Sequence, residues 1–163
     1  MSKKLIAYTA VNKTFNSAGL AMTNMIIEDE ALKERFGSFF SLPSPFGIAA
    51  VIAAYNKGEA WVDELNEYLD ENLNYAINFI KEKMPRAKCV LPEGGYIIWI
   101  DFSGYGLSDE EIQYRVLNKA HLILQGGKNF DDPRGNQIQR MCLPSPKSVI
   151  VEAFDRLYEA FEK

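Results

Sequence analysis

One amphipathic run constrains this sequence more than any other feature. From about Glu59 to Met84, apolar residues recur at mostly three- and four-residue spacing: Val62, Leu65, Leu69, Leu73, Ala76, Phe79, Ile80 and Met84. That spacing is one face of an α-helix. About 26 residues at ~1.5 Å each span about 39 Å. This exceeds most globular helices, so the helix is expected to cross between two structural parts. Lys57-Gly58 breaks the pattern before it, and Pro85 ends it.

Upstream, residues 4–9 (KLIAYT) and 22–27 (MTNMII) read as strands. The polar loop between them, residues 10–21, has short helical potential around Lys13. A strand needs neighbours to satisfy its edge. Two strands with few partners nearby therefore read as the remnant of a larger sheet. Asp29 is the expected N-cap of a helix carrying Leu32, Phe36 and Phe39 on one side, and Ser41-Leu-Pro-Ser-Pro45 stops it. Phe46–Tyr55 (FGIAAVIAAY) is apolar nearly all round and is expected as a short buried helix.

Downstream, strands and helices alternate. Lys88–Leu91, Tyr96–Phe102, His121–Gln125 and Gln137–Leu143 read as strands. Leu107-Ser-Asp-Glu-Glu111 reads as a capping box. In it the Ser108 hydroxyl takes the Glu111 amide, the Glu111 carboxylate takes the Ser108 amide, and Leu107 and Ile112 form the staple. That helix runs to about Asn118. Ser145-Pro146 is expected to start the last helix, serine at the cap and proline in the first turn. Its inward face is Ile150, Phe154, Leu157, Tyr158 and Phe161. The pattern predicts an α+β fold with a small, mainly antiparallel sheet covered by helices.

Composition narrows the function classes. The 163 residues amount to about one domain, and 47% hydrophobic with 25% charged residues is a soluble globular balance. The formal charge of −4 lacks the basic footprint of a nucleic-acid binder and gives no anchor for a membrane surface. The longest apolar stretch, 46–55, is half the ~20 residues a membrane-spanning helix needs, and no secretory leader is expected from the short run 5–9. Cys89 and Cys142 make no disulfide framework, so a reducing, cytoplasmic compartment is expected. The single histidine, His121 in HLIL, reads as a partly buried structural residue, and no metal site is expected.

Most chemistry-bearing motifs are missing. Gly104-Tyr-Gly106 is followed by Leu107, Ser108 and Asp109, so the dinucleotide fingerprint fails. No Walker motif, Cys-x-x-Cys or His-Glu-x-x-His occurs. Two cations remain. Lys13, in Thr9-Ala-Val-Asn-Lys-Thr-Phe-Asn16, follows a strand among small and hydroxyl residues, where a desolvated amine could form a Schiff base. An ordinary solvated lysine is the alternative. Arg140 shares a strand face with Ile138 and Cys142. An arginine there wants an anion, either a structural Asp or Glu or a ligand carboxylate.

Four blocks carry a resemblance. Lys13-Thr-Phe-Asn-Ser-Ala-Gly-Leu20 resembles the cofactor-lysine motif of the pyridoxal-phosphate (PLP) enzymes of the class I/II aminotransferase superfamily, fold type I, and within it the cystathionine β-lyase-like C–S lyases. Ala53-Ala-Tyr-Asn-Lys-Gly-Glu-Ala-Trp61, continued through Glu64-Leu65 and Tyr68-Leu69 to Asn72, resembles the interdomain-helix signature. Pro92-Glu-Gly-Gly-Tyr-Ile-Ile-Trp-Ile-Asp101 is similar to the strand after the family's Pro-Glu-Gly turn. Arg140-x-Cys-x-x-x-Pro-Lys-Ser148 is similar to its Arg-x-Asn…Pro-Arg-Ser segment. The blocks stand in the family's order across the chain.

By this resemblance residues 1–30 are a remnant of the large cofactor-binding domain, 31–85 the interdomain helices, and 86–163 the C-terminal small α+β domain. More than half of a full enzyme would precede residue 13. The resemblance implies pyridoxal 5'-phosphate as cofactor, Lys13 as its Schiff-base lysine and the base at the substrate's Cα, Thr9 as a hydroxyl for the phosphate, and Arg140 as the clamp on the substrate α-carboxylate. The implied reaction is β-elimination from an amino acid such as cystathionine or a cysteine conjugate, with a class I/II aminotransferase as the alternative. Ala21, where many aminotransferases carry a phosphate-binding arginine, favours the lyase. Cys142 and Lys147 replace the family's asparagine and arginine, and Asp131 replaces a glycine after Phe130. The partners expected are a small amino-acid substrate and a second copy in a homodimer. These residues alone are expected to be inactive. The competing reading is a non-catalytic domain that self-associates through the strands at 4–9 and 22–27.

Overall fold

The two N-terminal strands find each other. β1 (Ile6–Thr9) and β2 (Asn24–Ile27) pair antiparallel as a two-stranded sheet, with Ile6 opposite Ile27 and Thr9 opposite Asn24. The computed structural model describes residues 5–37 and 43–163; Lys4, Phe39, Ser41 and Leu42 of the expected elements lie outside them. The chain divides into two units, Met1–Leu65 and Asn66–Lys163.

In the first unit, α1 (Glu30–Phe36) starts where expected, because the Asp29 carboxylate accepts the Leu32 amide at 2.9 Å. α2 (Pro45–Lys57) begins with proline in its first turn, where the missing N–H costs nothing. The expected burial of α2 is not met. Phe46, Ile48, Ile52 and Tyr55 are all exposed, and only Gly47 is buried. An all-apolar helix needs cover on every side, and these residues find none on this one. α3 (Glu59–Lys83) follows the predicted run to within a residue of its end.

The second unit holds the core. β3 (Ile97–Asp101), β4 (Gln125–Gly126) and β5 (Ile138–Cys142) form one antiparallel sheet in the order β3-β5-β4. Strand alternation sends Ile98, Ile100, Gln139 and Met141 inward. Leu73, Ala76 and Ile80 of α3 belong to the same core, with Ile112 of α4 (Asp109–Tyr114) and Ile150, Phe154, Leu157 and Phe161 of α5 (Lys147–Glu162). Phe102 and Phe161 lie 4.5 Å apart and Phe79 and Phe154 5.4 Å apart, ring centre to ring centre. Phe102 and Phe154 are fully buried, and each such ring stabilises by about 1.5–3 kcal/mol.

Five expectations are corrected by this unit. The strand at 88–91 reduces to one bridge, Lys88 with Asp101; Val90 and Leu91 point to solvent, and Pro92 lacks an amide for a ladder. The strand at 121–125 reduces to Gln125–Gly126 because the chain is still closing a helix. After α4 comes a π-helical turn, Arg115–Lys119, and the Ala120 and Leu122 amides return to the Arg115 and Val116 carbonyls. His121 sits between them in the left-handed region, φ 55°, and is exposed rather than partly buried. The capping box is half made: Ser108 Oγ accepts the Glu111 amide at 3.2 Å, but the Glu111 carboxylate takes Arg115 Nε at 2.8 Å. The last helix starts one residue late, with Pro146 in the cap position and no serine cap.

Candidate functional site

The first cation stands on a loop anchored from below. The Phe15 amide donates to the Val11 carbonyl, and Ser17 closes onto Asn12, both at 2.9 Å, which makes one helical turn of residues 11–15. Val11 is buried. Phe15 stacks on Trp61 at 5.6 Å and 21°, and lies so close to Gly58 that a Cβ there would sit 2.2 Å from the ring. Two of the family-like blocks thus meet: the Lys-Thr-Phe-Asn turn rests on the Lys-Gly-Glu-Ala-Trp segment. Lys13 itself is exposed, so the desolvation expected for it is not supplied by these residues. It has no carboxylate partner among the described residues.

Thr9 ends β1, exposed, and its hydroxyl accepts from Asn24 Nδ2 at 3.3 Å; the same amide reaches Tyr55 Oη at 3.2 Å. Asn24 and Tyr55 were not legible as a polar pair around Thr9, because their meeting depends on the β1–β2 register and on a residue of α2.

The second cation lies in the other unit. Arg140 is in the middle of β5, directly opposite Trp99 of β3 on one side and Gln125 of β4 on the other. The predicted alternation holds: Gln139 and Met141 are buried, while Ile138, Arg140 and Cys142 share the more open face. The guanidinium donates to Gln125 Oε1 and lies 5.3 Å from the centre of the Phe130 ring, and Phe130 packs edge-on against Trp99 at 5.2 Å. Beside Trp99 a groove of about 490 Å³ runs along Cys89, Val90, Leu91 and Pro92. Burial pushes the Cys89 thiol up to about 11. Arg140 has no carboxylate partner among the described residues. Asp101 shares its sheet face but accepts the Ser103 amide at 2.8 Å, and Asp131 pairs with Arg134.

The segment just beyond β5 is pinned to α3. The buried Asn72 amide donates to the Leu143 and Ser145 carbonyls, both at 3.0 Å. The Lys147 amide donates to Tyr68 Oη at 2.7 Å, and its ammonium donates to the Glu71 carbonyl at 2.9 Å, 4.5 Å from the centre of the Tyr75 ring. Lys147 therefore fastens the start of α5 to α3. Among the described residues no group of His, Cys, Asp or Glu is placed to hold a metal, and no helix is long and apolar enough to cross a membrane.

No family model matches the chain. Cystathionine beta-lyase PatB of Bacillus subtilis is 38% identical over 160 residues, which cover 95% of this chain and 41% of that protein. Among solved structures, the PLP-bound C-S lyase of Staphylococcus hominis superposes with a TM-score of 0.92 at 30% identity, over 99% of this chain and 43% of its own. Cystalysin of Treponema denticola, which contains a pyridoxal 5'-phosphate cofactor, gives 0.89 at 30% identity over 96% and 41%. Over the stretch it spans, the chain has the fold of the fold type I PLP enzymes of the aminotransferase superfamily. Its homologues and neighbours there are the PLP-dependent C–S lyases, matched over their C-terminal portion. The chain spans about 41% of the length of such a relative.

Proposed function

We propose that this chain supplies the cofactor lysine and the carboxylate arginine of a PLP-dependent C–S β-lyase acting on a small thioether amino acid of the cystathionine kind. The observation that carries the reading is the placement of Lys13, exposed and without a carboxylate partner at the head of a turn that Phe15 anchors on Gly58 and Trp61. A bare amine on a braced loop fits an aldehyde-bearing cofactor. Thr9 fits the phosphate, since its hydroxyl accepts from Asn24 and keeps its own proton to donate.

When bound, PLP supplies an electron sink for the pair left on the substrate's Cα. Lys13 would hold the cofactor at its aldehyde carbon, and its free amine would take the Cα proton of the substrate. Arg140 grips the α-carboxylate with its planar fork and so fixes which Cα bond stands ready to break. A thiolate leaves Cβ, and water completes the conversion to pyruvate and ammonia. Ala21 offers no side-chain donor to the phosphate, which favours the lyase over transamination.

The test is to add PLP to the chain, reduce with borohydride and map the pyridoxyl group by peptide mass. Label is expected on Lys13 and is expected to vanish in Lys13→Ala. Label spread evenly over surface lysines would overturn the reading. The 163 residues alone are expected to release no pyruvate from cystathionine, because the proposed site residues include no acid for the pyridine nitrogen; measurable turnover would refute that. The polypeptide that carries this chain is proposed to act as a homodimer in the cytoplasm.

A further inference from the structure

We infer that Gln125 is the positioning residue of Arg140, an uncharged acceptor that aims the guanidinium while leaving its charge for a carboxylate ligand. This rests on the proposed role of Arg140 and adds the element that sets its affinity. Gln125 stands directly across the ladder from Arg140, and its amide oxygen accepts from the guanidinium. Its backbone is fixed: the neighbouring Gly126 pairs with Gln139 and approaches Gln113 so closely that a Cβ would meet that side chain at 2.3 Å.

A second contact acts from above. Phe130 lies 5.3 Å from the guanidinium and is itself held edge-on by Trp99. The loop that carries Phe130 is closed at its base by Gly127 and Gly135, packed backbone to backbone. Arg140 is thus gripped by one amide and one ring, and both are neutral. A long, flexible arginine loses orientational freedom when it binds, and holding it beforehand lowers that cost. A carboxylate in the place of Gln125 would hold it equally well but would occupy the fork and cancel its charge. The remaining guanidinium N–H groups have no protein acceptor among the described residues, so they stay available to a ligand.

The experiment uses the chain labelled with ¹⁵N-arginine and follows the Arg140 Nε–H resonance, assigned by its loss in Arg140→Lys. Arg86 and Arg115, each paired with a glutamate, report that the variants are folded. First, Gln125→Leu is expected to shift the Arg140 resonance and speed its exchange with water, with Arg86 and Arg115 unmoved. An unchanged Arg140 resonance would overturn the inference, whatever else is seen. Second, sodium propionate is titrated against sodium chloride at matched ionic strength. A saturable shift of Arg140 is expected in the parent chain, and Gln125→Glu is expected to weaken it about tenfold or more, the worth of a charge-assisted hydrogen bond. Equal propionate affinity in Gln125→Glu would overturn the claim that the acceptor's neutrality matters. If Gln125→Leu moves Arg140 but propionate does not, positioning by Gln125 stands and the carboxylate role of Arg140 falls.

Discussion

Asn72 is one of the residues that join α3 to the segment after β5. Its amide feeds two carbonyls, those of Leu143 and Ser145, in a position with no solvent exposure. Asn72→Ala leaves the part-buried Ser145 carbonyl without that donor and is expected to cost about 1 kcal/mol in urea unfolding, the net worth of such a hydrogen bond. Cys89 allows a chemical test at the same scale. Its thiol, pushed up to about 11 by burial, is only about one part in a thousand thiolate at pH 8. Iodoacetamide at that pH is expected to modify the exposed Cys142 first, read by peptide mass. An unfolded thiol ionises near ~8.5, so Cys89 stabilises the fold below that pH and its contribution fades as pH rises towards about 11. The face of Arg140 was legible beforehand, because period-two alternation alone puts it with Ile138 and Cys142. Asn72 was visible as the end of a family-like block, but its buried role was hidden, because the apolar stripe of α3 counts only hydrophobic residues. Gln125 was hidden because its partnership with Arg140 is a matter of register between strands 15 residues apart.

At the level of elements, the turn carrying Phe130 depends on two glycines. A Cβ on Gly127 would stand 2.5 Å from the Gly135 carbonyl oxygen and 3.0 Å from its Cα, backbone that cannot step aside. Gly127→Ala is therefore expected to destabilise by about 1–3 kcal/mol, as overpacking does, and to loosen Phe130 from Arg140, seen as a changed Arg140 resonance. Gly94→Ala is the control: nothing lies within 4 Å of its Cβ, and a change within about 0.5 kcal/mol is expected of such a site. The elements that sequence predicted well are those whose signal is long or chemically specific. α3 repeats its stripe over seven turns' worth of chain, and Asp29 and Ser108 mark helix starts through a definite hydrogen bond. The elements missed are short apolar runs. His121–Gln125 has strand-like residues, yet its first amides are claimed by the end of the preceding helix. Glu111 completes a capping motif on paper, yet Arg115 one turn on offers it a full charge.

Over the whole molecule, buried apolar side chains are distributed unevenly, and stability should track them. In Met1–Leu65, Val11 is the buried apolar side chain among the described residues; from Leu73 onward they run to Phe161 and make one connected cluster. Hydrophobic burial is the main favourable term in folding, and a two-stranded sheet is at best marginal without a covered face. Tyr8 and Ile26 of β1 and β2 are exposed. Opening of that sheet therefore uncovers little apolar surface, whereas opening β3 against β5 uncovers Ile98, Ile100 and Met141. Amide hydrogen exchange on the intact chain is expected to rank accordingly. The amides of β3, β5 and α5 should exchange only through global unfolding, and those of β1 and β2 roughly a hundredfold faster or more, through local opening. Mass-spectrometric exchange on peptides from 5–30 and from 96–160 reads this directly. Equal protection in the two sets would mean that the hairpin is stabilised by burial beyond that of the single chain. A second copy covering Tyr8 and Ile26 would then be the first thing to seek, by repeating the measurement across a range of chain concentrations.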